Sequence, residues 1–203
     1  MKNEIEATFL SIDKNIIRQK LKKNGFSLKI PEYLMKRKTF DFPNTVLGHQ
    51  KWGRVRQEFD KTTMTIKEAR GSGINDTYEI ELSVDNFDNA TKFFEACGIH
   101  EKAFQENMRE VWQKENIEIT IDTWPGLRPF IEIEGANEEI VKKTSQDLDF
   151  DFKQAVFGSI DIVYEKELGI SREKIINLPK ITFANPPKKD ILYPFIIKRY
   201  VRF

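Results

Sequence analysis

The sequence predicts an α+β protein in which an antiparallel sheet closes into a barrel, with its charged face inward and its apolar face covered by helices. Three observations point there. Three Glu-x-Glu pairs, Glu4/Glu6, Glu79/Glu81 and Glu132/Glu134, each sit in an alternating apolar segment. Successive side chains of a strand point to opposite faces, so each pair shares a face while Ile5, Ile80 and Ile131 with Ile133 take the other. Cations repeat the spacing, with Arg54 and Arg56 flanking Val55, and Thr63, Thr65 and Lys67 alternating with Met64 and Ile66. Finally, three amphipathic segments punctuate the strands and offer apolar stripes to cover them.

The elements follow in chain order. NEIEATF reads as the first strand, and IDKNIIRQKLKKN, residues 12–24, as a helix that opens near Asp13 and stops at Gly25. LMKRKTFDF is a strand that turns either Arg37, Thr39 and Asp41 or Lys36 and Lys38 inward, and alternation alone leaves that choice open. The Arg54/Arg56, Lys67 and Glu79/Glu81 strands come next, with RGSGINDT as the hairpin turn between the last two. A helix from 85 or 86 to 96 carries Phe87, Ala90, Phe93, Phe94 and Cys97 on one side and ends at Gly98. ENMREVW supplies Arg109, and EITIDTW sets Glu118, Thr120 and Asp122 opposite Ile117, Ile119 and Ile121. After the TWPGLRP turn and FIEIEG, a third helix spans about 137–148. The same pattern fits an open sheet with one wet face. Closure decides between them, because charges turned inward persist only if compensated.

Length and composition bound the rest. A chain of 203 residues with 16 Phe supports one domain with an ample core. Lys plus Arg number 33 against 32 Asp plus Glu, so a net charge of +1 gives no argument for nucleic acid as the main partner. The single cysteine, Cys97, excludes an internal disulfide and reads as a packed core thiol. His49 and His100 lie near turn glycines and read as surface residues. No apolar run approaches the ~20 residues that span a bilayer, and the amino terminus starts in a strand without a signal-peptide pattern, so a cytoplasmic location is expected.

In this order the motifs resemble the CYTH family, the triphosphate tunnel metalloenzymes, over residues 1–168. Glu4-Ile5-Glu6 matches the opening Glu-x-Glu-x-Lys with Thr8 in place of lysine, and Thr39-Phe40-Asp41 a Tyr-Phe-Asp. Arg54-Val55-Arg56 matches Arg-x-Arg, Thr65-Ile66-Lys67 Thr-x-Lys, and Glu79-Ile80-Glu81 a second Glu-x-Glu. Asn107-Met108-Arg109 stands for Lys-x-Arg without its lysine. The run from Asp122 through Leu127 and Phe130 to Glu132 and Glu134 completes the match, with Arg128 at a usual glycine. A lysine near the carboxy-terminal helix has no counterpart in VFGSIDIVY.

The resemblance implies an eight-stranded antiparallel barrel with flanking helices, holding a triphosphate in a tunnel with Mg or Mn. It implies Glu4, Glu6, Glu132 and Glu134 as metal ligands, and Arg54, Arg56, Lys67 and Arg109 as phosphate ligands, to which position and alternation add Arg37. Glu79, Glu81 and Asp122 remain for catalysis, holding metal or positioning a nucleophile. Hydrolysis of an inorganic, thiamine or nucleoside triphosphate is the expected activity. Class IV adenylyl cyclase chemistry and triphosphate binding without turnover are the alternatives, the latter favoured by the lost cations at Thr8 and Asn107. Residues 169–203 form an extension with a short helix over 172–177 and an apolar, basic last stretch, expected to pack on the barrel or on a second subunit in a homodimer.

Overall fold

A computed structural model describes the backbone of residues 2–42, 50–70 and 77–189, and the side chains of 5–42, 51–68, 70 and 78–189. The expected hairpin turn at RGSGINDT, His49 and the last stretch of the chain lie outside the described residues. The first strand is broken at Ile5 into β1 (Lys2–Glu4) and β2 (Glu6–Phe9). Six long strands and one short one follow: β3 (Ser27–Asp41), β4 (Gln50–Gln57), β5 (Thr62–Ala69), β6 (Thr77–Val84), β7 (His100–Lys114), β8 (Ile117–Thr123) and β9 (Phe130–Glu134). Neighbours run in the order β1-β6-β5-β4-β3-β7-β8-β9-β2, each pair antiparallel. The order begins and ends on the two halves of one strand, so the sheet curls back on itself as an eight-stranded barrel.

Its first three helices are where the apolar periodicity expects them. The first, α1 (Lys14–Lys23), is capped by Asp13, whose carboxylate accepts from the Asn15 and Ile16 amides; such a cap contributes about 1 kcal/mol. Asn86 and Asn137 cap α2 (Phe87–Ala96) and α3 (Glu138–Asp147) in the same way. Two helices close the described chain, α4 (Ile160–Leu168) and α5 (Arg172–Ile176), and a two-residue strand β10 (Lys180–Ile181) then pairs parallel to β7. The sequence reading had no helix over α4, whose apolar residues are not confined to one face. Gly169, at φ 63°, ends it in the left-handed conformation.

Two core clusters lie outside the barrel, between strand faces and helices. Ala7, Ile119, Ile121, Ile131 and Ile133 pack under Ile17 and Leu21 of α1 and Val141 of α3. Phe40 and Val55 meet Ala90 and Phe94 of α2. Here Gly53 admits the Phe94 ring, because a Cβ on it would sit 3.1 Å from that ring. A third cluster joins Trp124, Leu127 and Phe130 to Val163 and Tyr164 of α4 and to Ile170, Ile175 and Ile181 beyond it.

Three sequence expectations are corrected. Cys97 is exposed rather than packed, because it caps the carboxy end of α2 beyond its buried stripe. Phe93 is 60 % exposed, one residue off the stripe of Ala90 and Phe94. Helices do not cover every strand, since Ile80 and Leu82 on β6 stay 48 % and 58 % exposed. Replacing Ile133 by alanine is expected to cost about 2–5 kcal/mol in urea unfolding, and Leu82→Ala less than about 0.5 kcal/mol. Equal losses would mean that the core is not where the packing puts it.

Candidate functional site

Strand register places the charged side chains on the inner wall. Arg37 of β3 pairs with Arg56 of β4 and with Gln105 of β7, and Thr39 with Arg54. Arg37 is buried, while Lys38 faces out to Glu101 at 2.8 Å, which resolves the choice that alternation left open. Asp41 keeps the alternation of Arg37 and Thr39 against β4 but is the last, exposed residue of β3, and at that rim it meets Lys102 at 2.9 Å. Thr65 pairs with Glu81 and Lys67 with Glu79 across β5 and β6.

Two charge clusters result. In the first, Arg109 lies directly opposite Asp122 and donates from Nε to its Oδ1 at 2.8 Å, while its other amino group reaches the second Asp122 oxygen and Glu132 Oε2 at 2.9 Å. Thr120 Oγ1 donates to the same Glu132 oxygen at 3.1 Å, and Asn107 Nδ2 to Asp122 Oδ1 at 3.1 Å. Burial alone would lower the Arg109 pKa, but Asp122 and Glu132 outweigh it and hold it raised. Glu132 is pushed up by burial and by Asp122, against the pull of Arg109. The second cluster joins Arg56 to Glu58 at 2.9 Å and Glu81 at 3.4 Å, with Thr63 and Thr65 donating to these carboxylates at 3.1 Å. Lys67 meets Glu79 at 3.5 Å.

On the acidic side, Glu134 lies between Glu6 on β2 and Glu118 on β8, and Glu132 pairs with Thr8. The backbone of Glu4 pairs with Thr77; its side chain lies outside the described residues. Among the described residues no three acids converge closely enough to hold a metal ion. The donor set nonetheless fits a hard divalent cation. All its members are carboxylates, Glu6 and Glu134 face each other as like charges, and the ionised form of Glu132 is disfavoured, a crowding that a bound cation would relieve.

Glu58, Tyr33 and Trp124 complete this wall and were not singled out by sequence. Glu58 continues the Arg54/Arg56 alternation by one more step, so the pattern could have found it. The Tyr33 hydroxyl is buried with no partner, and burial pushes its pKa up to about 12 against the pull of Arg109. Trp124 covers the Arg37 guanidinium at 4.6 Å. Of the departures from the family pattern, Thr8 and Asn107 are buried, whereas Arg128 is exposed and meets Glu167 at 3.3 Å.

The CYTH domain model matches residues 39–155. The chain belongs to the CYTH domain family. A Methanocaldococcus jannaschii protein named "Putative adenylate cyclase MJ0240" is 30 % identical over 146 residues, 69 % of this chain and 81 % of the relative. A solved structure from Vibrio parahaemolyticus, described as a putative adenylate cyclase, superposes with a TM-score of 0.66 at 14 % identity over 81 % of this chain and 98 % of its own. The Hippeastrum protein HpAC1, described as a putative adenylyl cyclase with a dominant triphosphatase activity, gives 0.52 at 16 % identity over 80 % and 95 %. At these identities the two structures bear on the CYTH fold alone.

Two predictions follow from the pairing. Arg109→Gln strips a buried carboxylate pair of its cation and is expected to cost about 3–5 kcal/mol in chemical denaturation. Burial raises the Glu58 carboxyl, but Arg56, Lys61 and the Thr63 hydroxyl outweigh it and hold its pKa below the ordinary value of 4.5. A carboxylate lowered on folding adds stability that is full above its unfolded value and disappears as pH falls through its folded one. Glu58→Gln is therefore expected to lose stability at neutral pH and to show a shallower decline below about pH 4.5. An unchanged acid branch would refute that assignment.

Proposed function

We propose that the protein binds a triphosphate-containing compound inside the barrel with Mg or Mn and hydrolyses its terminal phosphoanhydride. The observation that supports this reading best is the charge arrangement of the inner wall, where Arg109 faces Asp122, Lys67 faces Glu79 and Arg56 meets Glu58 and Glu81, with Arg37 beside Arg56 and Arg54 beside Thr39 and Thr65 on a closed sheet. Guanidinium groups bind phosphate oxygens through paired donors, and Lys67 acts as a point charge. Glu4, Glu6, Glu132 and Glu134 would hold the divalent cation, which when bound polarises phosphate oxygens. No cavity base of unusual strength is required.

The residues of the wall divide the remaining work. Arg54, Arg56, Lys67 and Arg109 orient the phosphate chain and stabilise the charge that spreads over the transferring phosphoryl group. Glu81 already accepts from Thr65 and meets Arg56, so it lies beside the phosphoryl group that Arg56 would bind and can orient a water. Glu79 holds Lys67, and Asp122 sets the direction of Arg109. Water oxygen bonds to the terminal phosphorus as its bridging P–O bond breaks; the shortened phosphate chain leaves with the bonding electrons, and the water proton passes to the orthophosphate formed. A cyclase reading uses the same wall with a ribose hydroxyl as nucleophile, and the name of the M. jannaschii relative favours it.

Phosphorus NMR on purified protein with Mg or Mn and ATP or tripolyphosphate separates these outcomes. Orthophosphate is expected. Pyrophosphate with a cyclic phosphodiester would move the assignment to cyclase, and unchanged substrate that still binds would leave binding alone. Glu132→Gln is expected to lower turnover by roughly 100- to 1,000-fold.

A further inference from the structure

We propose that Arg37 is the primary anchor for the substrate's anionic chain, and that Asn107 is the positioning residue that keeps its charge available. The proposal rests on the triphosphate reading and deepens it by ranking the cations of the wall. Those cations are not equivalent. Arg109 is already engaged by Asp122 and Glu132, Arg56 by Glu58 and Glu81, and Lys67 by Glu79. A substrate must compete with these carboxylates.

Arg37 is built differently. It is 93 % buried by its 7 % exposure, yet among the described residues its hydrogen-bond partners are neutral, namely Asn107 Oδ1 and the Met35 sulfur at 3.2 Å. The Trp124 ring covers it, and its Nε is a buried donor with no partner. Its cross-strand neighbour is another cation, Arg56. Burial first, and then Arg54, Arg109 and Arg56, push its pKa well down, with Asp122 the opposing influence. A buried charge next to like charges, with an unused donor, is costly until an anion arrives. Binding there gains the full Coulomb attraction, whereas at Arg109 it replaces one already present.

Asn107 explains why Asp122 does not neutralise Arg37. It accepts from Arg37 through Oδ1 and donates to Asp122 through Nδ2 at 3.1 Å, so the neutral amide stands between the two charges. Asp122 is thereby left to Arg109.

The test compares Arg37→Gln, which removes the charge but keeps an amide donor, with Arg109→Gln, reading thermal stability and tripolyphosphate affinity with Mg. Without ligand, R37Q is expected to melt no lower than wild type, whereas R109Q falls by roughly 5–15 °C. With ligand, R37Q is expected to bind roughly 10- to 100-fold more weakly, and Arg37→Lys, which retains the charge, to recover part of that loss. An R37Q melting loss as large as that of R109Q, or R37Q affinity within about twofold of wild type, would overturn the anchor while leaving the triphosphate reading intact. Failure of wild type itself to bind tripolyphosphate would remove that reading and the anchor with it.

Discussion

The pairing of Arg109 with Asp122 and Glu132 is the constraint from which the rest of the barrel follows. Arg109, Asp122 and Glu132 come from three adjacent strands, and Asp122 is fully buried. An ion of that kind survives burial only with a partner in good geometry, so the pairing fixes how β7, β8 and β9 lie against one another. A slip of one residue would turn Asp122 and Glu132 out into the helix layer and bring Ile121 and Ile131 in. Both layers would fail together. The polar interior and the apolar exterior are thus two readings of one register.

That exterior makes the interior affordable. Ile119, Ile121, Ile131 and Ile133 lie fully buried beneath α1 and α3, and each such side chain contributes about 1.5–3 kcal/mol on burial. The wall can then carry arginines and glutamates that contribute little to stability by themselves. On β6 the compensation is thinner, because Ile80 and Leu82 stay exposed while Glu79 and Glu81 face inward. The strand is held through its ladders to β5 and β1 rather than by a helix over its back.

Much of this was legible in the sequence because period-two alternation is a local property. Arg54, Arg56, Lys67, Glu132 and Glu134 were assigned a common kind of face from their spacing, and the Asp13, Asn86 and Asn137 caps begin helices at the expected places. What alternation leaves open is phase. Arg37 against Lys38 was settled only by the pairing of β3 with β4 and β7, and Asp41, in the same phase, falls at the exposed end of the strand. Tyr33 continues the Arg37 alternation back by two steps and stands one residue before the LMKRKTFDF segment in which that alternation was read. The weak periodicity of α4 and the neutral shell of Arg37 depend on contacts between distant residues, which no single segment encodes.

The alternation of charge inside the barrel also bears on how a substrate would enter it. In the structure the wall is largely self-neutralised, with acids of one strand answering cations of the next. On the triphosphate reading, phosphate oxygens would have to displace Asp122 and Glu132 from Arg109, and Glu58 and Glu81 from Arg56. Each displacement would strand a carboxylate in a poorly solvated space, where Glu132 already carries a raised pKa. A divalent cation entering with the phosphate chain would take up Glu132 among the freed carboxylates, so anion and cation sites are each favourable chiefly in the other's presence. Arg37 stands outside this exchange, because no carboxylate must be released for it to bind. A wall of paired charges with Arg37 kept among neutral partners, as far as the described residues go, therefore suits a ligand that arrives as a metal-bound polyanion better than one that arrives as a bare phosphate.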